Sequence, residues 1–575
     1  MRKLLPLLKP YRWMAITAAV LVFLQALAEI FLPRLMASIV DQGIVYGDTG
    51  HILSVGAVML GVAALGMAAA FVAARLSSRA AVGFARDLRH RLFTHVTNFS
   101  LHEFDKVGTA TLITRTTNDV QQVQQLVFLS LRLMIRAPMM AIGGIVMATL
   151  QDARLALLLV ATIPVLAGII ALISSKGMPL FRQVQQKLDR LNLVTREGLT
   201  GIRVVRAFNR TEYEEQRFDD ANRELTQTSI RVNRIMAAME PAMGITFNLT
   251  TIAIVWFGGI RIDQGFMQVG SMMAFIQYAM QIMFALMLLS MMLTFIPRAA
   301  VSAARIAEVL DMSPEIKEPE QPIEPPEPTG VVTFDRVTFY YPGAEAAALE
   351  DVSFVARPGE VTAVIGGIGS GKSTLARLLL RFYDVTSGSV KIDGVDVRYM
   401  TQESVRERIG YVPQSALLFS GSIRENLRYG RPDATEDELR HAAESAQAAP
   451  FIEELEDGYD AFIAQGGANL SGGQKQRLTI ARALVRRPSI YLFDDNFSAL
   501  DFKTDAKVRM ALERETSDAT VIIVAQRVST IMDADQIIVL DSGRVAGIGT
   551  HRELLANCTI YREIVASQLS EEAIA

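Results

Sequence analysis

Two stretches of the chain carry residue types at spacings that suit phosphate and metal chemistry. The first is GGIGSGKST, Gly366 to Thr374, which follows the apolar run VTAVI and opens the helical segment LARLLLRFY. Gly366, Gly369 and Gly371 let the backbone curl so that its N–H groups and a helix N-terminus point at phosphate oxygens, with Gly367, Ser370 and Thr374 completing the loop. Lys372 would reach terminal phosphates, and Ser373 would give its hydroxyl to magnesium. The second stretch is YLFDDNFSALD, an apolar run that stops on two carboxylates, Asp494 and Asp495. One carboxylate suits a magnesium-linked role. A base for an attacking water must come within hydrogen-bond reach of that water, and aspartate is a short side chain for the task.

The elements that must position these groups follow from composition. A chain of 575 residues with 50% hydrophobic content is too long for one ordinary domain and more apolar than a soluble enzyme. A net charge of -3 gives no case for nucleic acid as a partner. The lone Cys558 excludes an intrachain disulfide and any cysteine-rich metal site. Up to residue 310 the chain is dominated by apolar runs of membrane-spanning length, about Trp13 to Val40, His51 to Ala74, Leu126 to Leu150, Leu155 to Ser175, Ile235 to Ile260 and Met267 to Ile296. Ahead of them, Arg2, Lys3, Lys9, Arg12 and Trp13 read as an interfacial helix. Three connections are short with few cations, whereas the loops from Arg75 to Gln125 and from Lys176 to Arg234 are long and basic. The positive-inside rule puts both long loops and both termini in the cytosol, and their periodicity predicts that the spans continue into them as helices.

Residues 311–329 form a Pro/Glu-rich linker that cannot continue a helix. From 330 to 575, short β-branched runs alternate with helical segments, which predicts an α/β domain with a parallel core sheet and an antiparallel start. The expected fold is therefore an all-α six-helix transmembrane domain with long helical extensions, fused to an α/β domain with a phosphate-binding loop.

About a hundred residues after the phosphate loop comes LSGGQKQRLTIARAL, Leu470 to Leu484, followed closely by SIYLFDD. With this stretch the chain resembles, essentially end to end, a bacterial ABC half-exporter of the multidrug type. LSGGQ is that family's signature. The resemblance implies ATP and magnesium as ligands, Tyr341 stacking on adenine, Gln414 as the magnesium-linked loop glutamine, and Asp501 of SALD facing a partner domain. Ser373, Gln414 and Asp494 would serve the metal, the last through water. GTATLITRTTNDV and EGLTGIRVVRAFNRTEYE resemble the family's two loop tips, whose short helices rest on the ATPase domains.

Two departures accompany the resemblance. The family strand ends Asp-Glu, the Glu acting as general base, and here that position is Asp495. The family's switch histidine is Gln526, which can hydrogen-bond a phosphate but cannot carry positive charge. Gln465, where exporters often have Glu, is a smaller one. Family ATPase domains pair head to tail, each nucleotide lying between one chain's loop and the other's signature. Intact Leu470, Ser471, Gly472, Gly473 and Gln474 beside altered Asp495 and Gln526 therefore imply a heterodimer. The partner half-transporter would carry Glu and His, and this chain's own site would hydrolyse slowly.

Polar groups inside spans are costly and face the bundle interior. Gln25, Glu29, Gln277 and Gln281 are the candidates for a substrate cavity, beside a methionine-rich sixth span. Arg132 and Arg136 read as interhelical pairing or snorkelling residues. The expected function is ATP-driven export of hydrophobic or amphipathic compounds, drug or lipid-like, across the bacterial inner membrane, in contact with its lipid. The alternative is a nucleotide-gated regulatory or channel-like protein of the same family with little transport.

Overall fold

The computed structural model describes residues 3–325, 328–499 and 501–568. Arg2 of the interfacial segment and Leu500 of SALD lie outside the described residues. The chain divides into two compact units. One takes the residues up to Thr97 together with Thr109–Met312, the other Asn98–Gly108 together with Ser313 onward.

The first unit is helical. Among the described residues, six helices are long and apolar enough to cross a membrane: Leu5–Ile44, Thr49–Thr97, Thr109–Gln151, Ala153–Thr200, Thr211–Asp263 and Val269–Asp311. The first five contain their apolar runs and overrun them; the sixth starts at Val269, two residues into its run, and overruns it at the C-terminal end. At about 1.5 Å per residue, the 49 residues of Thr49–Thr97 extend for about 70 Å, more than twice a hydrocarbon core of about 30 Å. The second span leaves Leu53, Leu60, Leu65, Met67 and Phe71 uncovered, as a helix facing lipid does. Phe275 and Tyr278 of the sixth span are fully buried against Ala148, Leu155, Leu159 and Ile254 of the third, fourth and fifth.

Two aspartates fasten the helices at their short connections. Asp152 caps the fourth span by accepting from the N–H groups of Arg154 (2.9 Å) and Leu155 (3.0 Å). Its other oxygen takes the Arg261 guanidinium, at 2.6 Å from Nη2, and so ties the fifth span to the same turn. Asp41, buried at the end of the first span, accepts from the N–H groups of Gly270 (2.5 Å) and Ser271 (3.1 Å), the free donors that start the sixth span.

The second unit is α/β. Its strands are β1 (Val332–Phe339), β2 (Leu349–Ala356), β3 (Val361–Gly366), β4 (Ser387–Ile392), β5 (Val395–Asp396), β6 (Ile409–Val412), β7 (Gly421–Ser422), β8 (Phe462–Ile463), β9 (Ile490–Asp494), β10 (Thr520–Val524), β11 (Gln536–Asp541) and β12 (Arg544–Gly549). An antiparallel sheet runs β2-β1-β4-β5, and the main sheet runs β12-β11-β3-β10-β9-β6. The latter is parallel from β11 to β6, with β12 antiparallel at its edge. Its central strands are buried on both faces, which explains their continuous apolar runs. Ile365, Phe493 and Ile523 enter one core, and their neighbours Val364, Leu492 and Ile522 enter the other.

A short helix, Leu101–Val107, also belongs to this unit. Ser100 and Glu103 form a capping box at its start, and the Glu315 N–H donates to Glu103 Oε1 at 3.1 Å. The stretch GTATLITRTTNDV follows directly, its Thr109 opening the third long helix.

Candidate functional site

Strand register brings the candidate residues together. Val524 of β10 lies between Val364 of β3 and Asp494 of β9, and Val412 of β6 pairs with Phe493. Four parallel strands therefore end side by side, delivering the phosphate loop, Gln526, the two aspartates and Gln414 to one edge. The C-terminal edge of a parallel sheet is where ligands bind in such folds.

The phosphate loop runs from β3 into the helix Lys372–Leu379. Gly371 has φ +100°, and a Cβ there would come within 2.6 Å of the Ala348 carbonyl oxygen, so only glycine fits. The Lys372 ammonium donates to the carbonyls of Gly366 and Gly367, both at 2.7 Å, which aims it across its own loop. Burial pulls its pKa below the ordinary lysine range. Ser370 is buried, and its hydroxyl has no partner among the described residues. Tyr341 stands beside the loop, its hydroxyl 3.0 Å from Thr374 Oγ1 and accepting from Arg377 Nη1 at 3.0 Å. Arg377 was not among the sequence candidates, because a single arginine in a helix gives no local signal.

The two aspartates differ in surroundings. Asp494 is 6% exposed; its Oδ2 accepts from the Tyr411 hydroxyl at 3.4 Å, and its Oδ1 has no partner among the described residues. Burial and the adjacent Asp495 charge raise its pKa. An orphaned, buried carboxylate oxygen of this kind fits a site completed by a hydrated cation. Asp495 has φ +47°, a left-handed conformation that aspartate tolerates better than most residues. Its carboxylate accepts from Gln414 Nε2 at 3.1 Å, and burial raises its pKa. The Gln414 carbonyl in turn accepts from Gln476 Nε2 at 3.3 Å, which links this edge to the signature helix.

That helix is Gly472–Arg486, with Ser471 as its N-cap. The Ser471 N–H donates to Gln474 Oε1 at 2.8 Å, and Ser471 Oγ accepts from the Gln474 N–H at 3.3 Å. The serine hydroxyl thus keeps its own hydrogen to donate, next to the free N–H groups of the first turn. Ser471 and Gly472 are exposed, Leu470, Gly473 and Gln474 half-buried, and Gln465 exposed. Asp501, also exposed, caps the helix Phe502–Glu515 by accepting from the Thr504 N–H at 3.0 Å.

In the spans, three of the four cavity candidates converge and one stands apart. Gln25 Nε2 donates to Glu29 Oε1 at 2.9 Å, and Gln281 Nε2 donates to the Glu29 carbonyl at 3.0 Å. Gln277 is exposed. Gln25 and Glu29 line a cleft of about 210 Å³ between the first and second spans. Arg136 of the third span closes on Glu29, with Nη2 at 2.9 and 3.1 Å from its two oxygens. Breaking such a pair leaves a lone charge in a low-dielectric region, a loss of about 3 kcal/mol or more. Arg136→Met is therefore expected to lower the thermal unfolding temperature of the full chain in detergent. Glu29→Gln added to it should recover much of that loss. If the two changes simply add, the residues are not coupled.

Six membrane-length helices fused to an ATPase domain with a phosphate loop, a paired-aspartate strand end and an LSGGQ helix start define an ABC half-transporter, and the chain belongs to that family. Residues 15–286 match the ABC transporter transmembrane region and residues 349–498 the ABC transporter family proper. It is 47% identical over 565 residues to an uncharacterized ABC transporter ATP-binding protein of Mycobacterium tuberculosis, covering 98% of this chain and 97% of that one. It is 40% identical to the uncharacterized ABC transporter ATP-binding protein YfiB of Bacillus subtilis, covering 100% of this chain and 99% of that one. A solved structure of a bacterial Atm1-family ABC exporter with ATP bound superposes with TM-score 0.79 at 28% identity, covering 97% of this chain and 99% of that one. The chain is thus a multi-pass, ATP-binding half-transporter with the exporter fold.

Proposed function

We propose that this chain is the slow-hydrolysing half of a heterodimeric exporter. The observation that carries the reading is the contrast between its two contributions to nucleotide chemistry. The signature Ser471–Gln474 has the family residues, a reciprocal cap and an exposed start at Ser471 and Gly472, whereas the strand end carries Asp495 in place of a longer base and the switch position carries Gln526. In a head-to-tail pair the signature would serve ATP on the partner's loop, where the partner's Glu and His complete the site. The chain's own loop would hold ATP for long periods.

At that own site Tyr341 would stack on adenine, the N–H groups of Gly366–Gly371 and Lys372 would cradle the phosphates with Thr374, and Gln526 would face the γ-phosphate. Ser373 and Gln414 would hold magnesium, with Asp494 reaching it through water. When bound, the ion offsets the phosphate charge. Asp501 would lie against the partner domain. The basic long loops support a cytosolic placement of both termini and both ATPase domains in a bacterial plasma membrane.

For the cargo we favour an amphipathic compound. A fatty acid ABC transporter ATP-binding/permease protein of Mycobacterium bovis is 34% identical over 478 residues, 83% of this chain and 75% of that one. The polar group of Gln25, Glu29 and Gln281 within apolar spans suits a substrate with one polar end.

The test is ATP hydrolysis by the chain alone in lipid, against the chain co-expressed with a second half-transporter carrying Glu and His. The pair is expected to turn over about tenfold faster or more. Brisk hydrolysis by the lone chain would instead make the homodimer the working unit. Hydrolysis by the pair with no movement of amphipathic cargo would favour a regulatory or channel-like role.

A further inference from the structure

The last described helix, Thr559–Gln568, reaches the switch segment through one side chain. Gln568 Nε2 donates to the Gln526 carbonyl at 2.8 Å, and Gln568 Oε1 accepts from the Val528 N–H at 2.8 Å. One amide therefore spans the backbone on both sides of Arg527. The two bonds also fix the amide's orientation, since a flipped amide would set donor against donor and acceptor against acceptor. The helix that holds Gln568 is itself anchored: Tyr561 and Val565 are buried in the core, and the Tyr561 hydroxyl lies 2.7 Å from His551 Nδ1.

Gln414 holds Asp495 at the end of the neighbouring strand, and Gln568 holds the 526–528 backbone beside it. We propose that Gln568 is a positioning residue for this chain's own nucleotide site: it pins the 526–528 backbone so that the Gln526 side chain is presented to the γ-phosphate, and the final helix thereby sets how long ATP stays bound. The proposal rests on the reading of this site as one that holds ATP. Glutamine at 526 makes such an outside support more consequential, because it lacks the charge with which a histidine would be drawn to phosphate by itself.

The experiment uses the full chain in lipid nanodiscs with magnesium and a fluorescent ribose-labelled ATP, and reads its dissociation rate after an unlabelled ATP chase. Gln568→Ala removes both bonds. Gln568→Glu keeps the acceptor for Val528 but sets an oxygen against the Gln526 carbonyl. Both are expected to release nucleotide about tenfold faster; because Gln568 is exposed, the unfolding temperature should fall only slightly. Leu439→Ala opens the buried core in another helix, Glu436–Ser445; it is expected to lower the unfolding temperature and leave the release rate alone. If Gln568→Ala holds nucleotide as long as the unsubstituted chain, or if Leu439→Ala speeds release equally, Gln568 has no positioning role. An unsubstituted chain that releases the labelled ATP within the mixing time overturns the reading of the site, and this proposal with it.

Discussion

Gly472→Asp is expected to cut ATP turnover by the assembled pair at least about a hundredfold while leaving this chain folded and its own ATP site filled. The size follows from spoiling preorganised donors aimed at developing phosphate charge: the backbone N–H groups stay, but a carboxylate beside them would compete for them and repel the γ-phosphate, and loss of such stabilisation costs about 10²–10³ in rate. The separation from folding is structural. A Cβ at Gly472 meets no atom within 4 Å, and the residue is exposed at the first turn of its helix. An acidic residue there complements the helix dipole, which is worth about 0.3–1 kcal/mol in favour of the fold. The checks are steady-state hydrolysis by the pair, nucleotide binding by this chain and thermal unfolding. Unchanged turnover would mean that this signature serves no catalytic site.

Asp495→Glu with Gln526→His should work in the opposite direction, raising hydrolysis by the lone chain roughly a hundredfold. A positioned general base contributes about 10²–10⁴, and the glutamate side chain restores the reach that Asp495 lacks. The strand end already holds the surroundings of such a base, with Gln414 Nε2 at 3.1 Å from Asp495 Oδ2 and burial raising its pKa. The left-handed backbone at this position, φ +47°, opposes the change by about 1 kcal/mol, far less than the gain sought. Asp495→Asn is the control and should abolish what hydrolysis remains. Should the double variant stay as slow as the parent, the limit lies elsewhere, in pairing of the ATPase domains or in product release.

Much of the site is legible in sequence because its parts are local. GGIGSGKST is contiguous, so its conformation follows from glycine's backbone freedom and the helix it opens. LSGGQ is likewise one helix start, with cap and box within four residues. The spans are legible for a similar reason, since transfer into lipid depends on the apolar content of one segment. Their full lengths are not, because helices that leave the bilayer continue on a mixed composition.

By itself, then, the sequence determined the class of chemistry, the division into a membrane part and an α/β part, and the presence of Asp495 and Gln526, on which the proposed division of labour turns. Tertiary structure alone decided which of these residues touch. Gln414 and Asp495 are 81 residues apart, Gln526 and Gln568 are 42 apart, and Glu29 and Arg136 are 107 apart. No local pattern couples them. Only the alignment of β3, β10, β9 and β6, the seating of the final helix and the packing of the first span against the third bring the partners within hydrogen-bond distance. Such contacts need donor and acceptor placed to within a few tenths of an ångström. That precision comes from the packing of the whole core and is encoded in no single segment of the chain.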